Sequence, residues 1–159
     1  MNTQLDSMLS DAEGRYLEVG EESRLLAYSM SVPHRIEAMK AVQANESKII
    51  DETLEEIWAR HPQFDSRHAM AREKARRDIT LVLRYAALAM VRDDQTMFSE
   101  RLLYWLTTIL NAHNMGPVID TAYRALARRS EAHLATQHLE LMAPYLRMAH
   151  TILTSAGRR

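Results

Sequence analysis

A chain of 159 residues with 20 lysines and arginines against 21 aspartates and glutamates has a formal net charge of −1, so no electrostatic attraction to nucleic acid or to an anionic membrane surface is expected. Its apolar content of 47% is ordinary for a globular domain, and a chain this long buries roughly 70% of its unfolded surface, enough for one sizeable core. The absence of cysteine excludes disulfides, thiolate zinc sites, cysteine nucleophiles and any chromophore held through cysteine sulfur.

Apolar residues recur at helical spacing almost throughout, and no segment alternates as a strand would. The sequence predicts an all-α chain forming one domain over 1–159, without repeats or linkers. A short first helix over residues 3–13 presents Leu5, Met8, Leu9 and Ala12, and Gly14 ends it by adopting the left-handed conformation. A second helix is expected over 21–31. Pro33 suits the first turn of a third, which holds Ile36, Met39 and Val42. A fourth carries Ile49, Ile50, Thr53, Leu54, Ile57 and Trp58 on one face and stops near His61, before Pro62. The fifth, over 66–92, is apolar on most sides from Ile79 to Met90 and should be central; Asp65 or Ser66 is its expected N-cap.

Asp93 and Asp94 open a segment with Phe98, Leu102, Leu103, Trp105, Leu106, Ile109 and Leu110 on its stripe. Trp58 and Trp105 both read as core residues. A turn at 114–117 precedes a helix over 118–134 whose polar second half is expected to fray. The last helix covers 139–154, with Pro144 near its first turn. Helices of this number and length, with no sheet, fit globin-like packing better than a four-helix bundle. No apolar stretch reaches the roughly 18 to 20 residues that span a bilayer. Residues 1–11 lack the order of a signal peptide, so a cytoplasmic location is the default expectation.

Two segments go beyond helix counting. Asp11-Ala12-Glu13-Gly14-Arg15-Tyr16-Leu17, followed by Gly20-Glu21, resembles the signature between the two N-terminal helices of phycobiliproteins, the subunits of phycobilisome antennae. Lys74-Ala75-Arg76-Arg77-Asp78-Ile79, running through Leu83-Arg84-Tyr85 to Asp93-Asp94, is similar to that family's central helix, where Lys-Cys-x-Arg-Asp precedes a Leu-Arg motif. Arg35-Ile36-Glu37-Ala38 and the run from Gly116 to Asp120 match as well. The resemblance spans about residues 5–155. It implies a phycocyanin-like globin fold, with an N-terminal helical hairpin over 1–32 and a globin core over 33–155.

The departures bear on function. The chromophore cysteine of the family falls on Ala75, so no thioether can form. The loop after Pro62 is shorter than in the family and lacks its Gly-Gly-Asn stretch. An antenna subunit is therefore not expected. A non-enzymatic relative associated with bilin metabolism fits better, and the bilin biosynthesis-associated globins are the nearest set. Such a protein would bind a non-covalent bilin such as biliverdin, or dock a bilin-making enzyme. In the family, the aspartate of the Arg-Asp pair faces the pyrrole nitrogens, and nearby cations hold the propionates. The resemblance assigns those contacts to Asp78, Lys74 and Arg77; the alternative is that they are solvated charges on the first turns of a helix. It also implies a homodimer in which Asp11, Arg15 and Tyr16 meet the partner near Arg84. The alternative there is a local cap at Asp11 with Arg15 and Tyr16 simply exposed.

Haem requires a buried proximal histidine. His34, His61, His68, His113, His133, His138 and His150 lie at helix ends or among polar residues, so a haem-binding globin ranks below a ligand-free structural dimer, and both rank below bilin association. Asp65-Ser66-Arg67-His68 holds three triad residue types, but neighbouring helical positions point apart. No catalytic or metal site is expected.

Overall fold

The computed structural model describes residues 2–63, 70–112 and 115–155, which form helices α1 (Thr3–Asp11), α2 (Val19–Arg60), α3 (Ala71–Arg92), α4 (Gln95–Phe98), a π-helical turn (Ser99–Leu103), α5 (Tyr104–Ala112), α6 (Gly116–His133) and α7 (Thr136–Ser155). No strand occurs among the described residues, so the all-α expectation holds. The caps expected at Asp65 or Ser66, Phe64, and the histidines at 68 and 113 lie outside the described residues.

The three helices expected between residues 21 and 61 are one helix of 42 residues, with Pro33 in its interior. The division expected at 32/33 therefore falls inside a continuous element. A proline there lacks an N–H and crowds the preceding turn, at a cost of roughly 3 kcal/mol. No glycine occurs between Gly20 and Gly116 to terminate the helix. The following turn is also tied across the structure by Arg35, whose Nε donates to Ser31 Oγ at 2.9 Å and whose Nη1 donates to the Met90 carbonyl at 2.6 Å. Nη2 of Arg35 pairs with Asp93 at 3.0 Å. A guanidinium thus meets the C-terminal end of α3, where the helix dipole favours positive charge. Pro144 likewise stands inside α7, which begins earlier than expected, at Thr136.

The core lies between α2, α3, α6 and α7, which pack on one another. Ile49, Ile50 and Ile57 of α2, Val82, Leu83, Ala86 and Met90 of α3, Leu126 of α6, and Met142 and Leu153 of α7 are all buried. Phe98, fully buried, tilts against Tyr145 with centroids 6.5 Å apart. The second half of α6 does not fray. Arg128 and Arg129 pair with Glu56, and His133 bonds Glu52 at 2.9 Å, so α6 is laced to the acidic edge of α2.

Trp105 corrects an expectation. In an unbroken helix it would share the face of Phe98, seven residues earlier. The π-helical turn between them adds a residue and rotates the next stretch of helix about its axis. Leu102, Leu103 and Leu106 take the buried face, and Trp105 is 56% exposed. Trp58 is half-buried rather than fully in the core.

The N-terminus docks through Asp94. Its Oδ1 accepts from the Met97 N–H at 2.9 Å and caps α4, while Oδ2 accepts from the Thr3 N–H at 2.9 Å and the Thr3 hydroxyl at 2.7 Å. Leu5 and Met8 of α1 are buried beside it. Gly14 has φ +86, the left-handed conformation expected after α1.

Candidate functional site

On α3, residues at i, i+4 and i+7 share a face, which places Ala71, Ala75 and Asp78 together with Lys74 beside them. Two alanines one turn apart leave space that larger side chains would fill. A cleft of about 260 Å³ opens there. Ile57 and Trp58 of α2 form one wall, Ile109 and Leu110 of α5 another, and Val118, Ile119, Ala122 and Tyr123 of α6 the floor. The candidate residues Lys74, Ala75, Arg77 and Asp78 all line it. The cleft is apolar apart from these charged groups and Tyr123.

Lys74 pairs with no carboxylate among the described residues. Arg77 turns on its neighbour: Nε and Nη2 donate to Asp78 Oδ1 at 3.0 and 2.9 Å. Burial, reinforced by the charge of Asp78, pushes the Tyr123 phenol far above its usual range, so it stays neutral at any working pH. The guanidinium of Arg72 sits 5.4 Å from the Trp58 ring centroid, a cation–π contact worth about 0.5–1 kcal/mol at an exposed site. Tyr85, a side chain that could have closed a pocket beside Ala75, is half-buried elsewhere in the core and does not line the cleft.

The second group of candidates is placed differently. Tyr16 is 97% exposed. Arg15 forms a fork with Glu21, both contacts at 2.8 Å, and this arginine, with the Glu18 N–H, lowers the Glu21 carboxyl to about 2. Arg84 forms a fork with Glu46 of α2 at 2.8 and 2.6 Å, which lowers the Glu46 carboxyl. Arg84 is therefore already partnered within its own chain. Asp11 is exposed at the end of α1.

Trp58 and Tyr123 are cleft residues that sequence reasoning did not select. Trp58 carried a signal: it stands at the rim of an apolar stripe, beside the last turn of its helix. Tyr123 carried none, because an aromatic residue in an amphipathic helix reads as core.

The described histidines stand away from the cleft. His61 bonds Thr121 at 2.8 Å, His133 bonds Glu52, His138 contacts Gln137 at 3.3 Å, and His150 bonds Asp120 at 2.8 Å. His34 is exposed, and none of these five lines the cleft. No group of three metal-ligating side chains occurs among the described residues, and no described helix is long and apolar enough to cross a membrane.

A linear tetrapyrrole is a flat, apolar molecule with inner N–H groups and two acid arms. The cleft offers apolar walls, one carboxylate and two cations. Attachment through sulfur does not fit, because Ala75 offers no nucleophile.

The phycobilisome protein family matches residues 9–153. The chain is similar to the allophycocyanin subunit beta-18 of Cyanophora paradoxa, 30% identical over 121 residues, covering 73% of the chain and 70% of that relative. It is 27% identical over 116 residues to the same subunit of Aglaothamnion neglectum, covering 70% and 67%. It is also 27% identical over 126 residues to the allophycocyanin beta chain of Thermosynechococcus vestitus, covering 77% of each. The chain belongs to the phycobilisome protein family, with the globin-like all-α fold of that family.

Proposed function

We propose that this member of the phycobilisome protein family is a non-enzymatic, bilin-associated protein that holds a linear tetrapyrrole reversibly in the cleft beside Ala75. The observation that carries the reading is the co-location of Lys74, Arg77 and Asp78 around an apolar cleft whose attachment position is alanine. A carboxylate accepts pyrrole N–H bonds, and cations at the mouth meet acid arms through charge-assisted bonds. Docking of a bilin-making enzyme is compatible with the same site, since a reversible holder can receive or deliver its ligand.

Titration with biliverdin tests it. Trp58 lines the cleft and Trp105 stands apart and exposed, so Trp105→Phe leaves one reporter at the site. Biliverdin is expected to quench Trp58 and to gain a red-shifted band. Asp78→Ala is expected to weaken binding about tenfold, the loss of one charge-assisted contact. Haemin should give no Soret band that depends on a single histidine. A red-shifted band that persists unchanged in Asp78→Ala would remove Asp78 from the site.

A second feature supports self-association through the N-terminal hairpin. Tyr16, Val19, Leu26 and Met30 are 97%, 80%, 61% and 75% exposed, an apolar group that a partner surface would cover. A two-fold dimer is the simplest closed arrangement. Sedimentation of the wild-type chain is expected to show a dimer that Tyr16→Asp with Met30→Asp converts to monomer. A wild-type monomer at high concentration would count against it.

A further inference from the structure

The floor of the cleft holds a polar group that the tetrapyrrole reading leaves unused. Tyr123 lines the cleft and is only 4% exposed, yet its hydroxyl bonds none of the described residues. A buried hydroxyl left unpaired is costly, so such a group invites a partner from outside the chain. Side chains of a helix lean toward its N-terminus, and in α6 that end lines the same cleft through Met115, Val118 and Ile119. The aligned peptide dipoles of this 18-residue helix place partial positive charge there. The unpaired phenol and the positive helix end therefore bound one apolar space.

We propose that this floor binds the uncharged carbonyl oxygen of a small apolar ligand, with the Tyr123 hydroxyl as its hydrogen-bond donor. The inference goes beyond the tetrapyrrole reading and asks no ligand contact of Lys74, Arg77 or Asp78. Burial first, and the charge of Asp78 second, raise the Tyr123 phenol, so it keeps its proton and acts as a donor. The same two causes reject an anion. A full negative charge at the floor would lose its water among apolar walls and meet a carboxylate already present. A carbonyl oxygen carries only partial charge, which the helix end and the phenol together satisfy. A ligand without that oxygen leaves the hydroxyl unpaired, and the site discriminates against it for that reason. The volume of about 260 Å³ lies below the roughly 300–1,000 Å³ of drug-sized pockets, so the ligand class is one or two rings, or a short chain, ending in a ketone, amide or lactam.

The test uses a dimethylamino-naphthalene carrying a propionyl group, a neutral ketone whose emission moves to the red when its carbonyl accepts a hydrogen bond. It is compared with the propyl analogue, which lacks the oxygen, and with the carboxylate analogue, which is charged. Wild type is expected to bind the ketone about tenfold tighter than the propyl analogue, the scale of one buried hydrogen bond. Tyr123→Phe removes only the hydroxyl. In that variant the ketone should weaken about tenfold and its bound emission should move to the blue, while the propyl and carboxylate analogues do not change. The melting temperature of Tyr123→Phe should equal or exceed that of wild type, because a hydroxyl without a partner holds no bond in the fold. A ketone that fails to bind wild type, or binds both chains equally, overturns the inference. So does a carboxylate that weakens as much as the ketone, which would make the floor an anion site, and so does a fall in melting temperature, which would give the hydroxyl a structural partner. Each of these failures leaves the biliverdin titration as it stands.

Discussion

Asp94→Ala is expected to destabilise the chain by about 3 kcal/mol, from the loss of a helix cap and of charge-assisted hydrogen bonds at a buried carboxylate. That corresponds to a fall in melting temperature of roughly 6–12 °C for a domain of this size. Asp94 is 3% exposed and serves two elements at once, capping α4 through Met97 and holding α1 through Thr3. Alanine leaves the Met97 and Thr3 N–H groups and the Thr3 hydroxyl without their acceptor. Asp94→Asn keeps one side-chain oxygen and should cost about half as much. The pH dependence is set by the direction of the titration. Burial pushes the Asp94 carboxyl up, but the bonds from Met97 and Thr3 and the charge of Arg92 outweigh it, so the carboxyl ends below its ordinary value of 3.8. A group lowered by folding contributes stability that is fully present above its unfolded value and is lost as pH falls through the folded one. The gap between wild type and Asp94→Asn should therefore be constant at neutral pH and narrow only below about pH 4. Thermal or urea unfolding monitored by circular dichroism measures it. Equal stability of wild type and Asp94→Ala would show that α1 and α4 do not depend on this carboxylate.

That anchor was only half visible in the sequence. Asp94 reads as a helix start from its position before Gln95. Its second role depends on Thr3, 91 residues away, and no local pattern encodes a bond of that range. Pro33 failed in the same way. Read locally, it marks a helix start. It becomes an interior residue in a helix whose following turn Arg35 ties to the far end of α3. Trp105 failed for a different reason: periodicity assumes a constant turn, and one π-helical turn resets the phase. The fraying expected of residues 126–134 overlooked the acidic edge of α2, whose Glu52 and Glu56 receive the basic end of α6. The site was more legible than the boundaries. Lys74, Ala75, Arg77 and Asp78 belong to one segment of one helix, so their shared face can be read from sequence spacing alone. The walls opposite, Trp58 and Tyr123, come from two other helices and needed the fold.

Ala75→Cys is expected to turn reversible binding into covalent attachment, an effect that goes from none to most of the chains. Ala75 lines the cleft and is half-buried, so a single sulfur adds little bulk at its Cβ. Lys74 and Arg77 flank the position, and the positive charge beside it favours the thiolate over the thiol. A bilin with an exocyclic ethylidene group, held in the cleft, would present its electrophilic carbon to that thiolate. One carbon–sulfur bond forms, and the proton shed by the thiol ends on the tetrapyrrole, so no oxidant is needed. Holding the two groups together supplies the rate. The measurement is intact mass after unfolding in acid and urea. Wild type should return to the mass of the bare chain, and Ala75→Cys should gain the mass of one bilin. Asp78→Ala combined with Ala75→Cys separates binding from reactivity: if capture in the cleft precedes bond formation, the adduct yield falls with the lost affinity. A thiol at position 75 that never reacts while the bilin still quenches Trp58 would place the ligand away from Ala75, and the cleft reading would then fail on its geometry.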